Sequence, residues 1–119
     1  MPDARKLFGY SGEDMAARYL EARGFRILDR NWSHRLGEID LIVQRNDEVR
    51  FVEVKMRRTK AYGFPEASIT GKKLRHLGRV IECWLEARSV PPKRYQADAI
   101  AITWLPYAEP EFCWIEGIL

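Results

Sequence analysis

The sequence predicts an α/β or mixed α+β fold, in which a mixed sheet flanked by helices runs in the order helix, three strands, helix, two strands. Three observations predict it. Two segments repeat apolar residues at the three- and four-residue spacing of a helix with one buried face. Around them lie strand-length runs rich in Val, Ile, Leu and Phe, bounded by turn residues. The chain has 119 residues, which at ~100 to 200 residues per domain means one domain with one hydrophobic core, and a sheet is the surface on which two singly striped helices bury themselves. A composition of 46% hydrophobic and 31% charged residues excludes a disordered chain. Repeat arrays and two-domain clefts are excluded by length.

The first helix is expected at least from Ser11 to Arg23, with a start as early as Asp3 open. Ser11 and Asp14 have capping-box spacing, and Gly24 suits the left-handed residue that ends a helix. Glu13, Ala16, Ala17 and Leu20 share one stripe, so a carboxylate falls among small and apolar residues. Phe25 to Asn31 reads as a short strand, with a looser stretch from Trp32 to Leu36. Glu38 to Arg45 and Glu48 to Arg57 are stronger strands, joined at the hairpin pair Asn46-Asp47. A loop with Gly63 and Pro65 covers 58 to 70. Thr70 then caps a helix to about Ala87, whose buried stripe is Leu74, Leu77, Ile81, Trp84 and Leu85. After Pro91-Pro92, strands are expected from Tyr95 to Thr103 and near Phe112 to Ile115.

No stretch approaches the ~18 consecutive apolar residues of a membrane span, and the charged N-terminal twenty residues are unlike a secretory signal. A cytoplasmic protein is the simplest reading. Cys83 and Cys113 lie in apolar runs without zinc-type or Cys-x-x-Cys spacing, as small buried hydrophobes would. His34 and His76 have no zinc-partner spacing, no Ser/His/Asp set is suggested, and no glycine loop of the phosphate-cradling kind occurs.

The formal net charge of +3 names no partner, but its distribution does. Residues 55–79 hold Lys55, Arg57, Arg58, Lys60, Lys72, Lys73, Arg75 and Arg79 against Glu66, a net +7. The remainder, twelve bases against sixteen acids, is −4. Lys72, Arg75, His76 and Arg79 form one helical stripe opposite the apolar one. A solvated face would look the same in isolation. With Arg57, Arg58 and Lys60 beside it, the segment suits a nucleic-acid backbone, DNA ahead of RNA. Tyr62 and Phe64 interleave with these bases where they could stack on nucleobases, or simply anchor the loop. Asp98, Glu109, Glu111 and Glu116 suit a face turned away from a polyanion.

A two-residue turn at 46 and 47 pairs residues whose numbers sum to 93. One hairpin face then shows Ile39, Leu41 and Val43 opposite Val54, Val52 and Arg50, a core face wet only at the turn. The other shows Ile42 opposite Phe51, Asp40 opposite Glu53, and Glu38 opposite Lys55. Opposed residues have Cβ atoms ~4.5 to 5.5 Å apart, and like charges there destabilise a sheet. A hard divalent cation, Mg²⁺ or Mn²⁺, would offset the repulsion, and Mg²⁺ typically takes one or two carboxylates and keeps its waters. Lys55 would stand beside it, and the first helix packed on this face would bring Glu13 to the same place. An ordinary solvated face would also carry Glu38 opposite Lys55. The constellation of Glu13, Asp40, Glu53 and Lys55 is what points to chemistry.

Gly12-Glu13 in the first helix, Gly37-Glu38-Ile39-Asp40-Leu41-Ile42, Phe51-Val52-Glu53-Val54-Lys55-x-Arg57, Gly63, and Lys73 entering the long helix together resemble the YraN-type family over about residues 6 to 102. The resemblance implies a restriction-endonuclease-like fold of the PD-(D/E)XK nuclease superfamily. It places Asp40, Glu53 and Lys55 in the superfamily's metal-binding and catalytic positions. Glu13 matches the helix carboxylate of related Holliday-junction resolvases. One departure is that family chains often read Arg-Phe-Asp before the late strand, whereas Arg94-Tyr95-Gln96-Ala97-Asp98 puts no arginine beside Asp98.

The expectation is a metal-dependent endonuclease of DNA, branched or structured DNA included. Asp40 and Glu53 would bind the metal with help from Glu13, and Lys55 would position the attacking water. Arg57, Arg58, Lys60, Lys72, Lys73, Arg75 and Arg79 would hold the backbone. The alternatives are a nucleic-acid-binding module on the same fold that does not cut, and a structural protein whose carboxylates pair with arginines. One small domain acting on duplex DNA would often work as a homodimer; no seam in the sequence proves one.

Overall fold

The structure is a computed structural model that describes residues 4–61, 63 and 69–119, with side chains from residue 12 onward. The expectations placed on Asp3, Tyr62, Phe64, Pro65 and Glu66 fall outside the described residues. The element order is α1 (Ala4–Glu21), β1 (Arg26–His34), β2 (Gly37–Arg45), β3 (Glu48–Arg57), α2 (Gly71–Glu86), β4 (Arg94–Thr103) and β5 (Glu111–Ile115). The strands make one mixed sheet in the order β1-β2-β3-β4-β5. Only β3 and β4 are parallel, which requires the long connection that α2 supplies. Among the described residues no helix is long and apolar enough to cross a membrane.

Helix α1 starts earlier than the capping box suggests. Ser11 is interior, because one more turn ahead of it already bonds the N–H groups that a capping serine would take. Its end is as expected: Gly24 has φ 89°, and the Phe25 N–H reaches back to the Leu20 carbonyl at 3.1 Å, a Schellman closure. In α2 the Thr70 side chain accepts the Lys73 N–H and Ala87 is the C-cap. Val80 joins Leu77, Ile81 and Trp84 in the buried stripe, while Leu74 and Leu85 are half-buried at its edges. β1 is longer than expected, taking in Trp32, Ser33 and His34 as partners of β2. Cys83 and Cys113 are free thiols, half-buried rather than buried.

The sheet is coated on both sides, so the core is two layers. Ala16, Ala17 and Leu20 of α1 pack with Leu41, Val43, Val52, Ile100 and Ile102. Leu77, Val80, Ile81 and Trp84 of α2 pack with Ile39, Ile42, Phe51 and Ala97. Helix α1 therefore covers the Leu41/Val43 face, not the Ile42/Phe51 face on which it was expected. The reason is that α2, with the bulkier stripe, already occupies that second face over the small residues of β4.

Candidate active site

The 93-sum register holds from Arg45–Glu48 to Leu41–Val52 and stops where the chemistry starts. Val52 and Val54 point their N–H groups the same way, so a continued ladder would give the Val54 N–H to the Ile39 carbonyl. Asp40 takes it instead, accepting from Val54 N at 2.8 Å through Oδ2. On the other side of β2, Asn31 lies in the left-handed region at φ 51°, between the rungs Arg30–Leu41 and Trp32–Ile39. The strict alternation expected for β2 breaks at this point. Ile39 packs under α2 with Ile42, whereas Leu41 and Val43 pack under α1. Asp40 is thus held by a main-chain donor in a gap of the sheet, rather than standing directly opposite Glu53 on a regular ladder.

Glu53 remains beside it electrostatically. Burial and then the Asp40 charge push the Glu53 carboxyl up to about 8, against the pull of Lys55 and Lys73. Its Oε1 is buried without a hydrogen-bond partner. Asp40 is also raised, chiefly by burial and with a contribution from Glu13, while the Val54 N–H opposes the rise. Glu13 comes from the opposite side of the sheet, on α1. Beside it Gly12 packs closely on β3, where a Cβ would lie 2.8 Å from the Met56 sulfur. Glu13 Oε2 is likewise buried and partnerless. Glu38 adds its charge to both carboxylates and accepts Ser33 Oγ at 3.3 Å. The four acids therefore run through the sheet from one face to the other instead of sharing one face. Among the described residues no three Asp, Glu, His or Cys side chains form a group that could hold a metal ion.

On the α2 side the sheet opens into a cleft of about 500 Å³. Glu38, Glu53 and Lys55 line it from the sheet, and Lys72, Lys73 and His76 from α2. Its remaining wall is aliphatic apart from Thr70. The glycine of the Gly37-Glu38-Ile39-Asp40 run packs against α2 beside this cleft: at φ 146°, a Cβ on it would lie 2.7 Å from His76 Nε2. A smaller concavity of about 210 Å³ at the hairpin end, around Trp84, Arg88 and Pro91, gathers no carboxylate cluster.

The expected backbone-binding residues divide into two groups. Lys72 and Lys73 border the cleft, and Arg75 and Arg79 are exposed farther along α2. Arg57 is half-buried and donates to Thr103 Oγ1 at 2.9 Å and to the Gly63 carbonyl. Lys60 is ion-paired with Glu111 at 3.1 Å, so this one of the C-terminal acids meets the basic segment rather than facing away from it. Arg58 is exposed.

Sequence reasoning missed Arg50. It is 7% exposed instead of lying at the wet end of the hairpin, and it bonds Asp98 at 2.8 Å, Glu116 at 2.6 Å and Glu48 at 2.6 Å. Burial lowers its pKa, but the hydrogen bonds to Glu116 and Asp98 outweigh this and hold it charged. Asp98, fully buried, also accepts from Trp114 Nε1, the Gly117 N–H and Gln96 Nε2. The arginine absent beside Asp98 in sequence is supplied across the parallel pair β3 and β4. A charged residue two positions from apolar Val52 was the only signal that could have found it.

Comparison with known proteins places these residues in a wider set. The family model described as uncharacterised protein family UPF0102 matches residues 12–102. A UPF0102 protein of Pelotomaculum thermopropionicum is 45% identical over 102 residues, 86% of this chain and 85% of that protein. One of Myxococcus xanthus is 39% identical over 101 residues, 85% and 80% of the two chains. Among solved structures, Pyrococcus furiosus SfsA in complex with Ca²⁺ is similar at a TM-score of 0.46 and 15% identity. That likeness covers 95% of this chain and 64% of the other.

Proposed function

The chain belongs to the uncharacterised protein family UPF0102, and from its site we propose that it is a metal-dependent nuclease that hydrolyses phosphodiester bonds of DNA. The observation that carries the reading is the half-buried pair Asp40 and Glu53, with one Glu53 oxygen buried and partnerless and Lys55 on the same strand as Glu53. A buried carboxylate left without a partner is costly, and two that repel each other are costlier still. A divalent cation supplies the missing partner and the opposite charge together.

Asp40 and Glu53 would hold Mg²⁺ or Mn²⁺, and Glu13 would act through Asp40 from the α1 side. The ion would polarise the scissile phosphate and lower the pKa of a water. Lys55 holds a phosphate oxygen or orients the attacking water for in-line displacement. The Val54 N–H fixes the Asp40 carboxylate, so it needs no rearrangement during the reaction. Lys72 and Lys73 hold neighbouring phosphates at the cleft border.

The test is Mn²⁺-dependent cleavage of linear, flapped and four-way DNA by the wild type, Asp40→Asn and Glu53→Gln. Loss of cutting in both variants supports the assignment, and equal activity overturns it. A second reading is a nucleic-acid-binding module that does not cut, which the lysines bordering the cleft would serve as well. Calorimetry separates the two, because the module predicts salt-sensitive DNA binding without Mg²⁺ or Mn²⁺ uptake.

A further inference from the structure

The cleft beside Glu53 is chemically two-sided. Phosphodiester hydrolysis needs the carboxylates, a lysine and a hold on the backbone, all of them polar. Yet the rest of the lining is Ile69, Leu74, Leu77, Ala99 and Ile118, with Thr70, whose hydroxyl oxygen already accepts the Lys73 N–H as the cap of α2. Ala99 is the register partner of Glu53 on the parallel strand β4. A larger residue there would close the cavity from its floor, so the small side chain is what keeps space open next to the carboxylate. At about 500 Å³, the space is in the range of small-ligand pockets, roughly 300 to 1,000 Å³. It is concave, and a stacked, paired base cannot enter it while its phosphate lies against Lys55.

We propose that this aliphatic wall receives the base of one unpaired nucleotide while Lys72 and Lys73 hold the flanking phosphates, so that the substrate is a single-stranded or locally unpaired strand rather than a continuous duplex. The proposal rests on the nuclease reading of the same site and narrows its substrate. The charge pattern agrees with it: Lys55, Lys72 and Lys73 stand at the polar border of the cleft, where an anionic backbone would run, and the wall beyond them carries no charge. Taking a base out of a duplex costs a few kcal/mol and costs least where the base is already unpaired. An uncharged wall reads no base edge, so the preference is for an unpaired state and not for a sequence.

The experiment uses the full chain in EDTA, so that binding is read without cutting. The probes are a labelled single-stranded DNA and a strand of equal length built from abasic residues, which keeps the charge and removes the bases. The wild type is expected to bind the natural strand about tenfold more tightly, the size of one buried base contact. Ala99→Met, which fills the floor, and Leu74→Gln, which makes the wall polar, change no charge. Both are expected to bring the ratio close to one while leaving affinity for the abasic strand and its salt dependence unchanged. A wild-type ratio of one overturns the proposal, as does a ratio that survives in both variants, which would place base contacts elsewhere in the chain. If the ratio behaves as expected but Mn²⁺-dependent cutting is absent, the nuclease reading fails and the base pocket stands. If cutting occurs with a ratio of one, the base pocket fails and the nuclease reading stands.

Discussion

The carboxylate of Asp40 accepts the main-chain N–H of Val54 at 2.8 Å, in the place of the next rung between β2 and β3. A side chain has taken over a main-chain hydrogen bond, and the strand is pinned open beside Glu53. Asp40→Asn keeps an oxygen for this donor, whereas Asp40→Ala leaves a half-buried N–H unpaired. Urea denaturation should show Asp40→Ala less stable than wild type by about 1 to 3 kcal/mol, with Asp40→Asn close to wild type. Cleavage should be lost in both, which separates the structural role of the residue from its chemical one.

Glu53 makes stability depend on pH in the direction opposite to a salt-bridged acid. Its folded pKa of about 8 lies above the ordinary 4.5, so between these values the folded state keeps a proton that the unfolded state has released. The contribution is fully present below about pH 4.5 and is lost as pH rises through 8. Thermal melts of the metal-free protein should therefore show Tm falling across this window, by on the order of 5 °C or more. Glu53→Gln should flatten the fall. A metal ion competes with the same proton, so added Mn²⁺ should raise Tm more at pH 8 than at pH 6.

Asp98 anchors four donors at once: Arg50, Gln96, Trp114 and the Gly117 main chain. Asp98→Ala takes one of three carboxylates from Arg50, which keeps Glu48 and Glu116, and leaves the indole and main-chain donors without their acceptor. A loss of about 2 to 4 kcal/mol is expected from the unpaired buried donors. Equilibrium denaturation measures it, and the same protein below its transition should bind DNA as the wild type does, because this network does not line the cleft.

Backbone binding should follow which bases are already engaged. The slope of log affinity against log salt should shrink by about one unit for each of Lys72→Ala and Arg75→Ala. Lys60→Ala should change it little, since Lys60 is paired with Glu111. Glu111→Ala should tighten binding by releasing that lysine. DNA titrations by anisotropy at several salt concentrations give all four slopes.

Much of the fold was legible because its cues are local. Thr70 and Ala87 bound α2 where capping chemistry places them, and Asn46, at φ 55°, makes the turn that fixes the 93-sum register. Local cues also misled. Ser11 and Asp14 have the spacing of a cap, yet they lie inside a longer helix. Alternation put Ile39 with Leu41, and the break at Asn31 and Asp40 sent it to the other layer. Period-two patterning assumes a regular ladder, and the ladder ends where a side chain replaces a main-chain bond.

The sequence by itself determined the element order, the hairpin register and the membership of Asp40, Glu53 and Lys55 in one stretch of hairpin, because caps, turns and strand periodicity act over a few residues. It also located Glu13 on a buried stripe of α1. Only the tertiary structure decided that α1 and α2 cover opposite faces and that the charge of Glu13 acts on Asp40 from the α1 side. Pairing Arg50 with Asp98 and opening an aliphatic pocket over Ala99 were tertiary decisions too. These depend on which helix stripe best fills which face and on contacts between residues far apart in the chain, and no local pattern encodes either.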